Sequence, residues 1–451
     1  MPHKIKIIGA GLAGTEAAWQ LASSGLDLEI ELWEMRPKVK TPAHHTDNFA
    51  ELVCSNSLGS EFLTTARGLL IREMEHFDSL IIKAAKDAKV PAGQALAVDR
   101  DLFAKYITDK LESHPSIKII REEFDQEIID NNDEAIIIAT GPLTSAKLSK
   151  RIQEFLMKTN PEAKSSYLHF FDAAAPIITA ESINMDIAFK ASRYDKGDGA
   201  DYINCPFYNK NDFDNFYQAL IQAKRAPLKD FEKENMRYFE GCMPIEAIAE
   251  RGQKTLTFGP MKPVGLKDPR RPNDRAYAVV QLRQDNVVGS LYNLVGFQTN
   301  LEWGEQKKVF ALIPGLENLE IVRYGVMHQN IFINSPLFLD SNFRVKQSSN
   351  IFFAGQVTGV EGYTESAASG LMAARSLIAQ IKKTNFDLPR STMMGALSHY
   401  ISSCEPKYFQ PINSNWGIIN YEPEALEMKY RKNKTLKNEF LANRALEALN
   451  S

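Results

Sequence analysis

The hydrophobic and polar positions at the start of the chain predict a strand, a helix and a second strand. Lys4–Ile8 alternates and then becomes apolar, which is typical of a buried strand. TEAAWQLASSG predicts a helix that Gly25 closes as a C-cap. LEIELWE predicts a second strand that ends at Glu34. This order is the beginning of an α/β fold with a parallel sheet.

Later segments continue the alternation of helices and strands. Residues 61–90 and 100–113 predict helices, and EAIIIATGPLTS predicts a buried strand that ends in Ala-Thr-Gly. Ile351–Ala354 predicts another strand, and the helix after it has Thr364 as a plausible N-cap. Residues 423–448 predict a charge-rich helix.

The middle of the chain has a different pattern, with many aromatic residues, short strands and turns. We therefore predict an inserted α+β domain at residues 166–325, flanked by the two parts of a discontinuous domain at 1–165 and 326–451. The predicted fold class is α/β, a Rossmann-like dinucleotide-binding domain with an insertion.

Composition excludes several classes of protein. A chain of 451 residues with 44% hydrophobic and 24% charged residues is ordinary for a globular protein. The net charge of −3 gives no global attraction to nucleic acid, and neither a membrane span nor a signal segment is apparent, so we expect a cytoplasmic protein. The four cysteines lack metal-ligand spacing, so we expect neither a zinc site nor a disulfide scaffold.

The glycine motif between the first strand and helix is the most specific local signal. Gly9, Gly11 and Gly14 form GxGxxG together with Ala10, Leu12 and Ala13, and Glu34 follows twenty residues after Gly14. The glycines allow a tight turn, approach of a pyrophosphate and close packing of helix on strand, while an acid at Glu34 accepts ribose hydroxyls. We expect FAD or NAD rather than NADP here. The alternative is a glycine-rich turn that binds no ligand.

Further glycines mark other places where the chain is expected to approach a dinucleotide. They are Gly141, in the Ala-Thr-Gly sequence, and Gly355 and Gly359, which flank Gln356 before the late helix. The N-terminus of that helix is expected to face the flavin ring, and Arg100 is a possible phosphate- or ribose-side contact.

The chain resembles the folate- and FAD-dependent tRNA (uracil-5-)-methyltransferases, the TrmFO family. The resemblance spans nearly the whole chain, in order, and is carried by motifs that include GAGLAGTEAAWQLA, EMRP, TPAHHTDNFAELVCSNSLG, VPAGQALAVDR, ATGPLTS, FEGCMPIEAIAERG, FGPMKPVGL, LVGFQTNLEWGEQK and FFAGQVTGVEGYTESAASG. It implies an FAD domain that includes Arg36 of EMRP. It also implies methyl transfer from methylenetetrahydrofolate to C5 of the T-loop uridine of tRNA, with FADH2 regenerated by NAD(P)H. Ribosomal RNA is the alternative target, and the protein could be a monomer or a dimer.

The resemblance gives two cysteines a catalytic role. A thiolate that adds to C6 of uracil makes C5 nucleophilic, and a base must later remove the C5 proton. We assign Cys242 as the nucleophile and Cys54 as that base or as the thiol that engages a flavin-bound methylene, although the two roles could be exchanged. Without the resemblance, any one cysteine is better read as an inert buried thiol, and Cys205 and Cys404 keep that interpretation.

Folate and RNA contacts are also implied. His328 is expected to stack on the pterin ring, and Arg283 and Trp303 are weaker candidates for lining the same site. The basic segments 262–275 and 429–437 could contact RNA or be solvated surface. The competing functions are a flavin oxidoreductase of a small molecule and a non-enzymatic RNA-binding protein.

Overall fold

The structure is a computed structural model. It describes residues 2–41, 43–131, 133–161, 163, 167–195, 200–227, 243–420, 430 and 433–450. The side chains of residues 168–172 and 328–329 also lie outside the described part.

The strands follow the predicted alternation closely at both ends of the chain. In chain order they are β1 (His3–Ile8), β2 (Leu28–Trp33), β3 (Ser57–Ser60), β4 (Lys89–Val90), β5 (Ala95–Val98), β6 (Ile117–Ile120), β7 (Glu134–Ile138), β8 (Tyr167–Ala173), β9 (Ile177–Thr179), β10 (Phe189–Lys190), β11 (Tyr202–Phe207), β12 (Ala278–Gln284), β13 (Leu291–Leu294), β14 (Ile321–Arg323), β15 (Met327–Ile333) and β16 (Ile351–Phe353).

The α-helices lie between these strands and at the C-terminal end. They are α1 (Leu12–Ala22), α2 (Ala66–His76), α3 (Leu80–Asp87), α4 (Arg100–Glu112), α5 (Ala146–Thr159), α6 (Lys210–Gln222), α7 (Ile245–Glu250), α8 (Gln253–Phe258), α9 (Trp303–Phe310), α10 (Ser335–Phe338), α11 (Tyr363–Lys382), α12 (Met393–Ser403) and α13 (Lys434–Ala448). Among the described helices, none combines the length and the apolar character that crossing a membrane requires.

A five-stranded parallel sheet organises the first and last parts of the chain. Its strand order is β16-β7-β1-β2-β6, so the predicted first strand lies at its centre. The strands are apolar because helices cover the sheet, and Ile7, Ile137 and Phe353 are fully buried. Helices α1 and α11 pack closely: a Cβ added to Gly370 would lie 2.0 Å from the carbonyl oxygen of Ala13.

The middle of the chain forms a second sheet, which is antiparallel. Its strand order is β10-β11-β12-β13-β9-β14, and its hydrophobic cluster includes α6 and α9 residues such as Phe213, Phe216 and Phe310. A two-stranded ribbon of β8 and β15 joins the chain where it enters and leaves this region. The two hydrophobic clusters are consistent with one discontinuous and one inserted unit, while the boundaries at 165/166 and 325/326 stay a prediction.

Several predicted element boundaries were wrong. The predicted helical region 61–90 contains two helices, α2 and α3, with a break at Asp78, whose φ is 59°. Helix α1 has Ser23 as its C-cap, two residues before Gly25. Helix α11 has Gly362 as its N-cap, and Thr364 instead donates its hydroxyl to the carbonyl of Leu58 at 2.6 Å. The last helix begins at Lys434; residues 423–429, 431 and 432 of the predicted helix lie outside the described part.

Candidate functional site

A large cleft opens where the parallel sheet meets the N-terminal turns of α1 and α11. Its empty volume is about 1050 Å³, and we call it the first cleft. Most of the predicted cofactor-binding residues line it together, namely Gly9, Gly11, Leu12, Ala13, Glu34, Arg36, Gly141, Gly355 and Gln356. Because these residues come from four separate segments, their meeting in one cleft is a result of the fold.

The three motif glycines differ in whether their surroundings leave room for a side chain. A Cβ at Gly9 would lie 2.6 Å from the carbonyl oxygen of Ala139, and a Cβ at Gly14 would lie 1.8 Å from that of Gly9. Both glycines are therefore required by packing between β1, β7 and α1. At Gly11 no atom of the described residues lies within 4 Å of an added Cβ, so its open side faces space that a phosphate group can approach.

The start of α1 offers unpaired donors to that space. The first hydrogen bond of the helix runs from the N–H of Thr15 to the carbonyl of Gly11. The N–H groups of Gly11, Leu12 and Ala13 have no acceptor in the part of the chain that the structure describes. Such a helix N-terminus binds anions through its free N–H groups and its dipole. These features fit the pyrophosphate of a dinucleotide.

Glu34 is held as a carboxylate at the end of β2. Its oxygens accept hydrogen bonds from the N–H of Ala10 at 3.2 Å and from the N–H and Nε of Arg36 at 3.0 and 2.9 Å. Burial alone raises the pKa of Glu34, but the hydrogen bonds and charge of Arg36 outweigh it and hold the pKa below its usual value. A fixed, ionised acid beside the glycine loop fits the ribose hydroxyls of an adenosine.

Three residues of the predicted set do not line the first cleft. Ala10 is fully buried and supports Glu34 through its N–H. Gly14 is the packing glycine described above. Gly359 has a φ of +88°, and an added Cβ would lie 2.6 Å from the ring of Phe409. Glycine is therefore required here for the chain to turn against this ring, and the approach of Gly359 to the flavin stays a prediction.

Sequence reasoning missed other residues of the first cleft, among them His44, Glu51, Thr140 and Tyr363. His44 Nδ1 lies 2.5 Å from the hydroxyl oxygen of Thr41. Burial and then the nearby Arg36 charge lower the pKa of His44 to about 4, so its imidazole is neutral at pH 7. The polar stretch TPAHHTDN is the only signal that could have pointed to it.

A second cleft of about 570 Å³ lies between the loop that contains Cys54 and the antiparallel sheet. Its lining residues come from two parts of the chain. Cys54, Ser55, Ser57, Gly59 and Arg67 line one side, and the other side is lined by Ala175, Arg283, Asn293, Leu294, Val295, Gly296 and Gln298. The structure thus brings two of the predicted site residues, Cys54 and Arg283, to the same cavity.

Cys54 is fixed through its backbone. Its N–H donates to the phenolic oxygen of Tyr363 at 2.7 Å, and its carbonyl accepts from Arg100 Nη2 at 3.1 Å. The half-buried thiol lies 3.4 Å from the carbonyl oxygen of Ala173. Tyr363 lines the first cleft while Cys54 lines the second, so this contact marks the place where the two clefts adjoin.

Arg100 is a support for this loop. It pairs with Asp285 at 3.0 Å, and its other donors reach the carbonyls of Leu52 and Cys54. Each of its three guanidinium nitrogens thus has a protein acceptor, and Arg100 does not line the first cleft. The expected contact with a phosphate or ribose was therefore wrong.

Arg283 lies in β12, directly opposite Asn293 of β13. Its Nε donates to the side-chain oxygen of Asn56 at 2.8 Å. The side-chain nitrogen of Asn56 in turn donates hydrogen bonds to the carbonyls of Val98 and Gln284. Burial lowers the pKa of Arg283 from its ordinary value. Its charge and that of Arg100 both interact electrostatically with Cys54.

The remaining predicted site residues are elsewhere or outside the described part. Cys242 lies outside the described residues. His328 belongs to β15, opposite Asp172 of β8, and its side chain lies outside the described part. Trp303 is 61% exposed, stacks on Tyr324 with ring centres 5.1 Å apart and lines neither the first nor the second cleft, and its part in the folate site stays a prediction.

The other two cysteines and the basic segments have more ordinary surroundings. Cys205 is fully buried, and burial raises the pKa of its thiol. Cys404 is the C-cap of α12 and lines neither cleft. In the segment 262–275, Arg270 is used internally, since it bonds Asp268 and the carbonyls of residues 185–188. In the segment 429–437, residues 429, 431 and 432 lie outside the described part.

Comparison with solved structures agrees with this architecture. Aquifex aeolicus GidA in its form I crystal is 16% identical with a TM-score of 0.67, over 99% of this chain and 76% of that chain. The form II crystal gives 16% identity and a TM-score of 0.66, over 98% of this chain and 73% of that chain. At this identity the likeness concerns the fold alone, a GidA-like α/β fold.

Comparison of sequences identifies the family. The model of the family "Glucose inhibited division protein A" matches residues 4–385. A methylenetetrahydrofolate–tRNA-(uracil-5-)-methyltransferase TrmFO from Brevibacillus brevis is 54% identical over 99% of this chain and 97% of its own length. The protein of the same name from Enterococcus faecalis is 53% identical over 99% of this chain and 98% of its own length. The chain therefore belongs to the glucose inhibited division protein A family and, through its full-length relatives, to the TrmFO family of methylenetetrahydrofolate–tRNA-(uracil-5-)-methyltransferases.

Proposed function

We propose that this chain methylates C5 of uridine in the T loop of tRNA, with methylenetetrahydrofolate as the carbon donor. The observation that carries the proposal is the position of Cys54, a thiol in the second cleft that is bonded through its backbone to a wall residue of the first cleft. A plain flavin oxidoreductase has no need of a thiol at that junction. The names of the full-length relatives support the same reaction.

The first cleft fits FAD. The N-terminal turn of α1 would hold the pyrophosphate, and Glu34 would hold the adenosine ribose. When bound, and kept reduced by NADH or NADPH, FAD supplies the electrons that convert the transferred methylene into a methyl group. Tyr363 and Ser366, in the first turn of α11, line the same cleft and bring a second helix N-terminus to it.

The chain's own residues supply the covalent and proton-transfer steps. We assign the Cys242 thiolate to add to C6 of uracil, which makes C5 a nucleophile toward the electrophilic methylene carbon. Cys54 then takes the C5 proton while the bond from the methylene carbon to the folate nitrogen breaks and tetrahydrofolate leaves. Addition of hydride to that carbon completes the methyl group, and the C6–S bond breaks to restore the double bond between C5 and C6. Negative charge that develops on the base in the second cleft is stabilised by two buried cations, Arg100 and Arg283.

Methylenetetrahydrofolate is proposed to bind at the junction of the clefts, where the His328 segment faces the pterin and the Arg283 side chain lies between the folate and the target base. In this arrangement the Arg283 guanidinium binds a substrate instead of forming an ion pair with a described residue of the protein. Its Nε is oriented by Asn56, while its two Nη atoms have no acceptor among the described residues. Because tRNA is the substrate, we expect a cytoplasmic location.

The donor is tested with isotopically labelled methylenetetrahydrofolate. Unmodified tRNA transcript is incubated with the FAD-loaded protein and NADH or NADPH, and nucleosides are analysed by mass spectrometry. Labelled 5-methyluridine from the folate and none from S-adenosylmethionine is the expected result. Label in ribosomal RNA but not tRNA would move the proposal to that target. Label in neither RNA, with flavin reduction intact, would overturn it.

The assignment of the nucleophile is tested with tRNA that carries 5-fluorouridine. Fluorine at C5 cannot leave as a proton, so the C6 thioether should accumulate as a covalent protein–RNA complex. We expect Cys54→Ala to retain this complex and Cys242→Ala to lose it. The opposite pattern would exchange the two roles.

A further inference from the structure

The side chain of Asn293 is buried without a hydrogen-bond partner among the residues that the structure describes. It is 1% exposed, and neither its amide nitrogen nor its amide oxygen bonds any residue that the structure describes. Burying an amide without partners is costly, so buried asparagines are normally paired inside the protein. Asn204 of the same sheet follows that rule: its amide donates to the carbonyls of residues 189, 191 and 202 and accepts from Gln281.

The unpaired amide lines the second cleft beside the predicted substrate residues. Asn293 and Arg283 are directly opposite on neighbouring antiparallel strands, so their side chains share one face of the sheet. Both line the cleft that contains Cys54. Within the described part of the chain, Arg283 has only its Nε engaged, by Asn56. The sheet therefore presents, side by side, an amide acceptor, an amide donor and guanidinium donors.

We infer that Asn293, together with Arg283, recognises the imide edge of the target uracil in the second cleft. This inference rests on the proposed function. Uracil presents carbonyl, N–H and carbonyl in a row, so the Asn293 oxygen accepts from N3–H, its nitrogen donates to one carbonyl and Arg283 donates to the other. The pterin of folate presents an amino group where uracil has the second carbonyl. Because Arg283 has no acceptor for that amino group, the pair matches uracil better.

Asn293 is thus a specificity-determining residue, and its test must separate binding from folding. The comparison uses Asn293→Leu, with Asn204→Leu as the control that removes an internally bonded amide. Urea unfolding should leave Asn293→Leu as stable as the wild type or more stable, since no hydrogen bond to a described residue is lost. Asn204→Leu should be clearly less stable.

Recognition is measured as base-dependent affinity, which needs no turnover. The FAD-loaded protein is titrated with a T-arm stem–loop RNA that has either uridine or an abasic residue at the target position. In the wild type uridine should bind more tightly, and in Asn293→Leu this advantage should fall about tenfold, as expected for the loss of a hydrogen bond. Affinity for tetrahydrofolate, measured separately, should not change.

Three outcomes would overturn the inference. They are a wild type that does not distinguish uridine from the abasic residue, an unchanged uridine advantage in Asn293→Leu, and a loss confined to tetrahydrofolate affinity. A destabilised Asn293→Leu with unchanged affinities would assign the residue a structural role instead. Failure of the proposed function is a separate result, because it is the absence of labelled 5-methyluridine with the wild type.

Discussion

The backbone N–H of Cys54 donates a hydrogen bond to the phenolic oxygen of Tyr363 at 2.7 Å, across 309 positions of sequence. Tyr363 is the first residue of α11 and lines the first cleft, whereas Cys54 lines the second. Together with the bond from Arg100 to the Cys54 carbonyl, this hydrogen bond positions the thiol relative to the cofactor cleft. This contact gives the two clefts a common wall.

Tyr363→Phe should lower methyl transfer while the protein still folds and binds flavin. The change removes the acceptor of the Cys54 N–H, and an unpaired backbone donor at a half-buried site costs about 1–3 kcal/mol, so the Cys54 loop should shift. We expect kcat to fall about tenfold or more. Flavin absorbance of the purified protein reports cofactor binding. Tyr400→Phe is the control, because that hydroxyl bonds the carbonyl of Gln410 outside both clefts. Equal activities in the two variants would contradict the role of Tyr363.

Asp285→Asn should destabilise the protein strongly. Asp285 and Arg100 form a buried ion pair, with side chains 4% and 9% exposed, that joins the antiparallel sheet to the start of α4. Removing one partner of a buried pair leaves an uncompensated charge, which costs about 3–5 kcal/mol. Urea unfolding measures this loss. Asp109→Asn, which breaks the exposed pair with Lys105, should change the free energy of unfolding by at most about 1 kcal/mol. Similar losses in both variants would refute the account.

Glu73 should make the protein less stable as pH rises toward neutrality. It is fully buried and accepts the N–H groups of Met393 and Met394 at the start of α12. Burial raises its pKa to about 7, although the two hydrogen bonds act in the opposite direction. The folded protein therefore holds this proton more tightly than the unfolded chain, whose Glu73 titrates near pH 4.5. The stabilisation is complete below about pH 4.5 and is lost as pH rises through about 7, by about 3 kcal/mol.

Unfolding free energies of the wild type and Glu73→Gln, measured from pH 3 to 8, test this sign. The difference between wild type and variant should fall as pH rises. Glu75→Gln provides the contrast: burial raises the pKa of Glu75, but Lys86 and Arg72 outweigh it and lower the net value. The stabilisation that ionised Glu75 gives the folded protein is therefore present above about pH 4.5 and is lost as the pH falls below that value. A flat difference curve for Glu73→Gln would be inconsistent with the raised pKa.

Reversing the exposed charges of the 262–275 segment should weaken tRNA binding. Lys267, Arg271 and Arg275 are exposed, whereas Arg270 is used internally. Replacing the three exposed cations with glutamate should lower tRNA affinity and flatten its dependence on salt, because fewer counterions are released. Lys150→Glu, on an exposed position of α5, is the control. Unchanged affinity and unchanged salt dependence in the triple variant would remove this segment from the RNA surface.

The parts of the site that were predictable from sequence are those set by local geometry. The strand, the glycine turn, the helix and Glu34 are consecutive in sequence. Their residue types alone therefore show that the segment meets the steric and electrostatic requirements for binding a dinucleotide. The N-cap of α11 was mispredicted because Gly362, two residues earlier, takes that position. The Thr364 hydroxyl instead donates to the carbonyl of Leu58, a residue distant in sequence. Tyr363 and Asn293 could not be found in this way. Their importance depends on contacts and on register between strands that exist only in the folded chain.

The most direct test of the account is methyl transfer from labelled methylenetetrahydrofolate to tRNA by Cys54→Ala, beside Cys404→Ala as a control. Both thiols are half-buried, but only Cys54 lines a cleft. We expect both variants to bind flavin, Cys404→Ala to transfer label at a rate near that of the wild type, and Cys54→Ala to lose transfer by about a hundredfold or more. Transfer by Cys54→Ala within a few-fold of the wild type would contradict the central claim that this thiol acts where the two clefts meet.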